Sequence, residues 1–522
     1  MQVQIRAALL LIASFVACGA TVRADQFYVD AVAGDDTNSG RSPGNAWRTL
    51  THAMALPDPP VPGHTIHVAP GVYDTSLGEV FPILVRPRFH LIGTGGSGVT
   101  VADGGGTAEP VMELISGPGE VVSVEGFSMT GGNLGVLMSS AGWDMDVTLR
   151  DLHIHDISDS GLFIDPLNGE IDVTLDHVRT VANGRGLVAR SFAGSGGSTG
   201  AFLANDCEFS DNAGLGISLG QGMNFVGERC RINGNHSSGV GAVGALFYGT
   251  YVALIDSLVA SNDVFGISGS GSFIPAPLRV DLVRCTIFGN GLAPQTPGFG
   301  GAIYLSDNAP TDLDSCILWG NLDDFIDPIN LPTVNYSNLE FGPLAGLGNF
   351  SEDPLFVDGA GGDFRLIYGS PSVDTGNPAT IDGTSLDGFE RPIDGDLDVI
   401  ERADQGAFEF ASLRLSHEPI LGGTLAVETW GPDQAIVELV MARATLVNPV
   451  ATPFGEFELD RNRVYRWQSV HAAPGPPSVL VRPLPNRPAL HGLTLSIQGR
   501  VASSNAPRGK AWSNAIQFTL HD

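Results

Sequence analysis

The sequence contains a single lysine, Lys510, among 522 residues, and only 16% of its residues are charged. A mechanism that needs a lysine as base or as Schiff-base partner is therefore excluded from the body of the chain. The 57 acidic residues outnumber the 27 basic ones, and the formal net charge is −30. A surface of this sign repels nucleic acid and anionic lipid, so neither is an expected partner.

Long hydrophobic segments are also missing. The apolar run over residues 7–16 is too short to cross a bilayer as a helix, and we expect no transmembrane segment. Arg6 precedes this run and Ala24 follows it at a short distance, which predicts a signal peptide over residues 1–24 with cleavage before Asp25. Lipoprotein processing at Cys18 is the alternative. The sequence thus predicts a protein that is secreted or held at the cell surface.

A repeat with a period of about 27 residues runs from residue 127 to residue 321. Each unit has an apolar strand and a predicted buried residue, and a glycine that precedes an apolar residue follows in most units. In the last six units an asparagine stands five residues after the buried position. The predicted buried positions are Leu152, Val178, Cys207, Cys230, Ser257, Cys285 and Cys316, and the repeated asparagines are Asn183, Asn212, Asn235, Asn262, Asn290 and Asn321.

This period predicts an all-β parallel solenoid, because short β-branched strands recur without a helical pattern between them. Each coil has three strands, and successive coils stack at about 4.8 Å. The repeated asparagines then form a ladder inside a turn, since asparagine accepts turn conformations and its amide bonds to neighbouring backbone. The four cysteines of the repeat are interpreted as small buried hydrophobic residues, with a Cys207–Cys230 disulfide as the alternative.

Both ends depart from the repeat. Residues 25–65 are predicted as an N-terminal strand and a capping helix, because Trp47, Leu50 and Met54 have helical spacing. Such a helix covers the exposed sheet edge of the first coil. After residue 411 longer alternating strands predict an antiparallel β-sandwich over residues 412–522, which leaves residues 66–410 for the parallel β-helix.

Two segments carry a family resemblance. Residues 28–73, with Gly34-Asp35-Asp36-Thr37-Asn38-Ser39-Gly40 and Ala69-Pro70-Gly71-Val72-Tyr73, resemble the N-terminal signature called DUF1565 in secreted right-handed β-helix proteins of the pectate-lyase-like superfamily. Residues 353–409 resemble the closing segment of the choice-of-anchor Q group, with Gln405 in place of the usual isoleucine. The resemblance implies a right-handed parallel β-helix, and it implies no particular reaction, since relatives include lyases, hydrolases and epimerases.

Candidate catalytic residues lie one position before the buried residue of each repeat, where side chains are expected to face outward. Asp151 and Asp206 are two coils apart, about 10 Å, with His177 between them. This is near the carboxylate separation of inverting glycoside hydrolases. An ordinary solvated ladder of alternating charges is the other interpretation. The absence of lysine from the solenoid excludes lyases that use a lysine base. A lyase with an arginine base and calcium is left as an option through Arg150, Arg229 or Arg284.

Calcium is the one cofactor for which the sequence offers ligands. Asp394, Asp396 and Asp398 alternate with other residues and present carboxylate oxygens, although Val399 and Gln405 exclude an EF-hand. A solvated acidic loop is the other interpretation. The predicted function is binding or display of an extracellular polysaccharide or cell-surface polymer without catalysis. The alternative is a polysaccharide-active enzyme, either a uronate lyase or a glycoside hydrolase, acting on the groove of the solenoid.

Overall fold

The structure is a computed structural model. The predicted signal peptide lies outside the described residues, and none of the described helices is long and apolar enough to cross a membrane. The described residues are 25–57, 63–115, 117, 120–140, 142–166, 169–190, 199–243, 249–270, 278–292, 300–306, 309–326, 332–380, 382–461 and 464–521.

Two parallel sheets form the solenoid. In the larger sheet each coil contributes two runs of strand that meet at a bend, which we call the first run and the second run. Buried residues alternate with exposed ones, because side chains of a strand point to opposite faces. The twenty strands are Asp25–Val29, His64–Val68, Gly71–Asp74, Phe89–Gly93, Thr100–Asp103, Glu120–Thr130, Met145–His155, Glu170–Val181, Thr199–Asn205, Glu208–Ser210, Met223–Glu228, Arg231–Asn233, Tyr251–Ile255, Leu258–Ala260, Arg279–Val283, Thr286–Phe288, Thr311–Asp314, Ile317–Trp319, Thr333–Asn335 and Asn338–Leu339.

The second sheet closes the third side of each coil. All of its pairings are parallel, and its inward side chains share one apolar core with those of the larger sheet. The predicted three-strand parallel coil is therefore confirmed. The ten strands are Ile83–Val85, Met112–Ile115, Leu134–Ser140, Ser160–Pro166, Arg185–Ala189, Ile217–Leu219, Val240–Val243, Phe265–Ser270, Gly301–Ser306 and Phe325–Ile326.

The predicted asparagine ladder is present at the turn after the second run. Asn235 is fully buried, and its Nδ2 donates to the carbonyl of Phe209 at 3.0 Å and to Oδ1 of Asn262 at 2.9 Å. Its Oδ1 accepts from the backbone and side-chain nitrogens of Asn212 at 3.2 and 2.9 Å. Because such bonds recur from Asn183 to Asn321, each of these turns is fixed to its neighbour by a buried polar side chain.

The bend between the two runs is made by one left-handed residue per coil. φ is 45° at Asp151, 55° at His177, 54° at Asp206 and 51° at Arg229. Non-glycine residues adopt this conformation only when the surrounding structure holds them there. The residue that follows each bend is the small buried one of the repeat, and Cys207, Cys230, Cys285 and Cys316 are all buried and free. The alternative of a Cys207–Cys230 disulfide is therefore wrong in this structure.

The N-terminal helix runs over Leu50–Met54, and a 3-10 turn precedes it at Pro43–Asn45. Thr49 caps the helix by accepting from the backbone N–H of His52. Leu50 and Met54 are buried in the solenoid core, where they cover its first coil. Trp47 lies before the helix and stacks on Phe27 with ring centroids 5.0 Å apart.

The last strand of the larger sheet is Asn338–Leu339, and a single parallel bridge from Asn338 to Phe350 follows it. Both lie before residue 410, which the sequence predicts as the end of the solenoid. Residues 351–411, which we call the closing segment, fold back along the outside of earlier coils instead of adding new ones. The physical reason is that the outward-facing side chains of the late second runs include the apolar residues Leu258 and Ile317. Leu258 packs against Phe408 and Ile317 packs against Phe410, which removes apolar surface from water. The strands of the closing segment pair in two antiparallel hairpins, Phe356–Asp358 with Asp363–Leu366 and Gly383–Thr384 with Glu390–Arg391, and a 3-10 turn covers Gly359–Gly361.

The C-terminal part forms an antiparallel sandwich whose two larger sheets share an apolar core that includes Val427, Val437 and Ile497. The strands of one sheet are Leu413–Leu415, Thr424–Thr429 and Ser478–Pro483. The strands of the other sheet are Ile436–Ala442, Tyr465–His471, Thr494–Ala502 and Lys510–Thr519. The sandwich also contains a hairpin of Thr445–Thr452 and Gly455–Leu459 and a 3-10 turn at Pro488–Leu490.

The asparagine ladder yields a stability prediction. Asn235→Ala removes the side-chain partner of the Asn212 backbone N–H and of the Phe209 carbonyl, and it leaves Nδ2 of Asn212 with the carbonyl of Thr180 alone. We therefore expect a loss of roughly 3 kcal/mol in the free energy of unfolding. Asn38→Ala is the control, because Asn38 is half-buried and donates one side-chain bond, to the carbonyl of Ala46. Urea unfolding and limited proteolysis measure both variants. Equal losses would contradict the structural role of the ladder.

Candidate functional site

The candidate catalytic residues lie at the bend of the larger sheet, and the structure brings two of them together with a third that the sequence analysis missed. Asp176, His177 and Asp206 each offer one ligand atom, and these atoms lie within 4.8 Å of one another. His177 Nδ1 is 2.7 Å from Oδ1 of Asp176. Asp176 could have been found from its place beside His177, as the last outward residue of the first run. This trio is able to hold a cation or a polar ligand.

The carboxylates of the trio are already engaged by arginines. Nε of Arg150 donates to Oδ2 of Asp176 at 2.8 Å. Arg229 donates to both oxygens of Asp206, at 2.8 and 2.9 Å, and also pairs with Glu228. The hydrogen bond to Asp206 raises the pKa of Arg229 far above its usual value, and Glu228 adds to the effect. A guanidinium held in this way does not act as a base, which removes Arg229 from the candidates for a lyase.

Asp151 faces a different neighbour. Its two oxygens accept from the hydroxyl of Ser97 at 2.7 Å and from the Ser97 backbone N–H at 3.1 Å. Asp151 therefore anchors the loop at residues 94–99 to the bend, and it is not part of the group formed by His177 and Asp206.

The bend residues of later coils are not exposed, although the sequence analysis expected outward positions throughout. Asp256 has 0% and Arg284 has 5% of its surface exposed. They form a two-pronged ion pair with distances of 2.8 Å, and Arg284 also donates to the carbonyl of Thr380 in the closing segment. That expectation is wrong for these two residues because the closing segment covers them, and Arg284 is thereby removed as a base.

A shallow depression of about 280 Å³ lies on the outer face of the first runs. Ser123 and Thr148 occupy equivalent positions in neighbouring coils, and Glu125 and Arg150 form the next row. His90 completes the row of Ser123, and its Nδ1 is 2.8 Å from the Ser123 hydroxyl. Hydroxyl, imidazole, carboxylate and guanidinium groups thus line one strip that crosses several coils.

The neighbouring part of this face carries excess negative charge. Repulsion by Asp172, together with partial burial and the nearby Asp144 and Asp146, raises the pKa of Glu170. Burial, with further repulsion by Asp146 and Asp144, raises the pKa of Asp172 as well. The face therefore favours neutral or cationic ligands over anionic ones.

The acidic residues of the closing segment form a second cluster. Asp374, Asp394 and Asp396 present ligand atoms within 4.8 Å of one another. Asp398, which the sequence analysis grouped with Asp394 and Asp396, instead pairs with Arg402 at 3.2 Å. Burial, with repulsion by Asp396, raises the pKa of Asp374 to about 9 and that of Asp394 to about 7. The alternating pattern of residues 394–398 could not point to Asp374, because it lies 20 residues earlier in the chain.

A cavity of about 1240 Å³ lies between the closing segment and the sandwich. One side of its wall carries Glu401, Glu456 and Glu458, and Trp512 also lines it. Burial raises the pKa of Glu458 to about 7, and Glu401 and Glu456 add repulsion. Its Oε1 accepts the backbone N–H of Ala515 at 2.9 Å. This cavity could not be predicted from the sequence, because its residues come from segments far apart in the chain.

Comparisons with known proteins agree with this architecture. The family model described as protein of unknown function (DUF1565) matches residues 32–172, and the one described as right handed beta helix region matches residues 134–327. The chain is therefore a right-handed parallel β-helix protein, as the resemblance implies. A search of curated protein sequences gives no significant match.

Among solved structures the chain is similar to pectate lyase Pel9A, with 15% identity over 75% of this chain and 98% of that one and a TM-score of 0.41. It is also similar to a GH136 lacto-N-biosidase from Eubacterium ramulus, with 10% identity over 63% and 68% and a TM-score of 0.32. Tailspike protein 2 of bacteriophage CBA120 matches with 11% identity over 95% and 76% and a TM-score of 0.29. Similarity at this level indicates nothing about reaction or ligand.

The raised pKa of Glu458 yields a prediction of pH dependence. The ordinary pKa is 4.5 and the folded value is about 7, so the fold binds this proton more tightly than the unfolded chain does. The stability contributed by the proton is present below pH 4.5 and is lost as the pH rises to 7. Glu458→Gln keeps an acceptor for Ala515 without a charge. We expect the variant to gain about 3 kcal/mol over the natural chain between pH 4.5 and 7.5.

Urea unfolding at a series of pH values measures this difference. The control is Glu418→Gln, at an exposed glutamate of the same sandwich, which should leave the pH dependence of unfolding unchanged. Parallel pH profiles for the natural chain and Glu458→Gln would contradict the burial of an acidic proton at this cavity.

Proposed function

We propose that this protein is a secreted, non-catalytic polysaccharide-binding protein. The sugar chain lies along the outer face of the first runs of the solenoid, over the strip that contains Ser123, Thr148 and Arg150. The observation that carries the proposal is the depression of about 280 Å³ at this place, because its polar side chains repeat from one coil to the next. The predicted signal peptide supports the secreted location.

The spacing of the strip suits an extended polymer. Ser123, Thr148 and Thr174 stand in register in three successive coils, which span about 10 Å at the usual strand separation. Glu125, Arg150 and Asp176 stand beside them in the same register. Hydroxyl and charged groups in two parallel rows offer a chain of sugar hydroxyls a donor or acceptor at each coil.

The charge of the face favours a neutral polysaccharide. The protein has a net charge of −30, and Asp144, Asp146, Glu170 and Asp172 lie along the same face. The negative charge of this face repels a polysaccharide that is rich in uronates, whereas it does not weaken the binding of a neutral polysaccharide. The preferred ligand is therefore a neutral polymer.

The absence of catalysis in this proposal rests on the partners of the candidate residues. Asp206 is held by both nitrogens of one edge of Arg229, Asp176 by Arg150, and Asp151 by Ser97. A general acid or base must reach the ligand with a free carboxylate oxygen, and both oxygens of Asp206 are occupied by Arg229.

A glycoside hydrolase is the second candidate function, and one observation favours it. The atoms of Asp176, His177 and Asp206 lie within 4.8 Å of one another at the edge of the same face, next to Arg150. His177 has 66% of its side chain exposed, so its imidazole is able to contact a bound ligand.

Affinity electrophoresis against neutral and uronate-containing polysaccharides tests the proposal, with and without calcium. Thr148→Val removes the hydroxyl at nearly constant shape, and Arg150→Ala removes the guanidinium. We expect each variant to weaken binding of the neutral polymer about tenfold. The matched control is Arg487→Ala, at an exposed arginine of the sandwich, and it should bind like the natural chain.

Reducing-end and unsaturated-product assays run on the same mixtures decide between the two functions. The proposal expects no product. Product formed by the natural chain and lost in both His177→Ala and Asp206→Asn would overturn it in favour of catalysis at the trio. Binding that is unchanged in Thr148→Val and Arg150→Ala would place the ligand elsewhere.

A further inference from the structure

The acidic cluster of the closing segment is built from residues that are distant in sequence and buried in the fold. Asp374 has 7% and Asp394 has 8% of its surface exposed, and Asp396 is half-buried. One oxygen from each residue lies within 4.8 Å of the others. Three ionised carboxylates in a space of this size repel one another, and the repulsion is relieved by protons or by a cation between them.

One carboxylate oxygen of the cluster has no partner in the described part of the chain. Oδ2 of Asp374 accepts the backbone N–H of Asp396 at 2.6 Å. Oδ1 of the same carboxylate is buried and receives no hydrogen bond. An acceptor that is withdrawn from water without a donor costs free energy, and such groups are uncommon in folded proteins. This oxygen points to a ligand that the protein atoms do not supply.

The surrounding groups orient the cluster without neutralising it. Asp394 accepts backbone N–H groups from Asp398 and Val399, each at 2.9 Å. Within the described residues no ion pair joins Asp374, Asp394 or Asp396 to an arginine, lysine or histidine, since Arg402 pairs with Asp398 and Arg391 pairs with Glu409.

We propose that Asp374, Asp394 and Asp396 bind one calcium ion. The donors are all oxygens, which a hard cation prefers over the nitrogen and sulfur ligands that zinc and copper take. Carboxylates from a loop and from a distant segment form an irregular set, and calcium accepts irregular geometry more readily than magnesium does. Water and backbone carbonyls fill the remaining positions.

The site lies where the closing segment meets the sandwich. The backbone carbonyl of Asp396 accepts from Nδ2 of Asn505, in a loop of the sandwich, at 2.8 Å. The hydroxyl of Tyr368 donates to the same carbonyl at 3.4 Å. A calcium ion that fixes the loop of Asp394 and Asp396 therefore also fixes the contact of the sandwich with the closing segment. This role is independent of the proposed polysaccharide binding.

Terbium luminescence and thermal unfolding of the full chain test the proposal. Terbium takes calcium sites, and Tyr368 is close enough to Asp396 to sensitise its emission. We expect emission that calcium displaces and magnesium displaces at least tenfold less well. Calcium in excess over EDTA should raise the unfolding temperature of the C-terminal part by about 5 °C.

Two variants and a matched control separate this set of ligands from the alternating set of the sequence pattern. Asp374→Asn and Asp396→Asn should weaken terbium and calcium binding at least tenfold and abolish the thermal shift. In EDTA both should unfold no earlier than the natural chain, because the asparagine oxygen still accepts the backbone N–H of Asp396 or Asp398 and adds no charge to the cluster. Asp398→Asn, next to the cluster but paired with Arg402, should keep the calcium response.

The result that would overturn the proposal is a natural chain with no calcium-dependent emission or thermal shift. Loss of the response in Asp398→Asn with retention in Asp374→Asn would also overturn it, because the ion would then be held by residues 394–398 alone. Since neither readout involves a polysaccharide, these outcomes leave the test of polymer binding unaffected.

Discussion

Stacking in register is the constraint on which the rest of this structure depends. A parallel coil satisfies the hydrogen-bonding groups of its strands only through the coils above and below it, so every turn must repeat at the same place. The amide of asparagine meets this condition because it accepts from the preceding coil and donates both to that coil and to the following one. Asn262, for example, accepts from Asn235 and donates to Asn290 and to the carbonyl of Ile232. With the turns fixed, the outward side chains fall into straight rows that a ligand or a covering segment contacts.

Those rows divide the outer surface into an open part and a covered part. The row that contains His153, Arg179 and Glu208 in the early coils continues as Leu258 and Ile317 in the late ones. Polar residues leave the early coils exposed to solvent, while the apolar residues of the late coils pack against the closing segment. The same division buries the bend residues Asp256 and Arg284 and leaves His177 exposed. Position along the solenoid therefore decides whether a charged bend residue is structural or available to a ligand.

The parts of the fold that follow from local periodicity could be predicted from the sequence. The asparagine and small-residue positions of the repeat identify the coil, its turn and its buried cysteines, because each coil places the same residue in the same environment. The C-terminal sandwich follows from alternation in the same way. The path of residues 351–411 could not be predicted, since its contacts, such as Ala407 with Thr286, join residues more than a hundred positions apart.

The candidate sites show the same distinction between residues that the local pattern identifies and residues that only tertiary structure brings together. His177 and Asp206 were identified because the repeat places them at equivalent positions of adjacent coils, and Asp176 was missed because its row is outside the pattern that defines the repeat. For the acidic cluster, alternation in residues 394–398 identified two of three members. Asp374 replaces Asp398 because the chain returns to the same place after 20 residues, and only tertiary structure contains that information.

The contact between Ala407 and Thr286 has a consequence for the order of folding. The backbone N–H of Ala407 donates to the hydroxyl of Thr286, which lies 121 positions earlier in the chain. The closing segment therefore docks only after the coils around Thr286 have formed. During synthesis the apolar strip of Leu258, Ala260 and Ile317 is formed before the residues that cover it have been made. Throughout that interval the incomplete solenoid exposes an apolar surface to other chains. The time between synthesis of the strip and docking of the closing segment therefore sets how long a nascent molecule is prone to self-association.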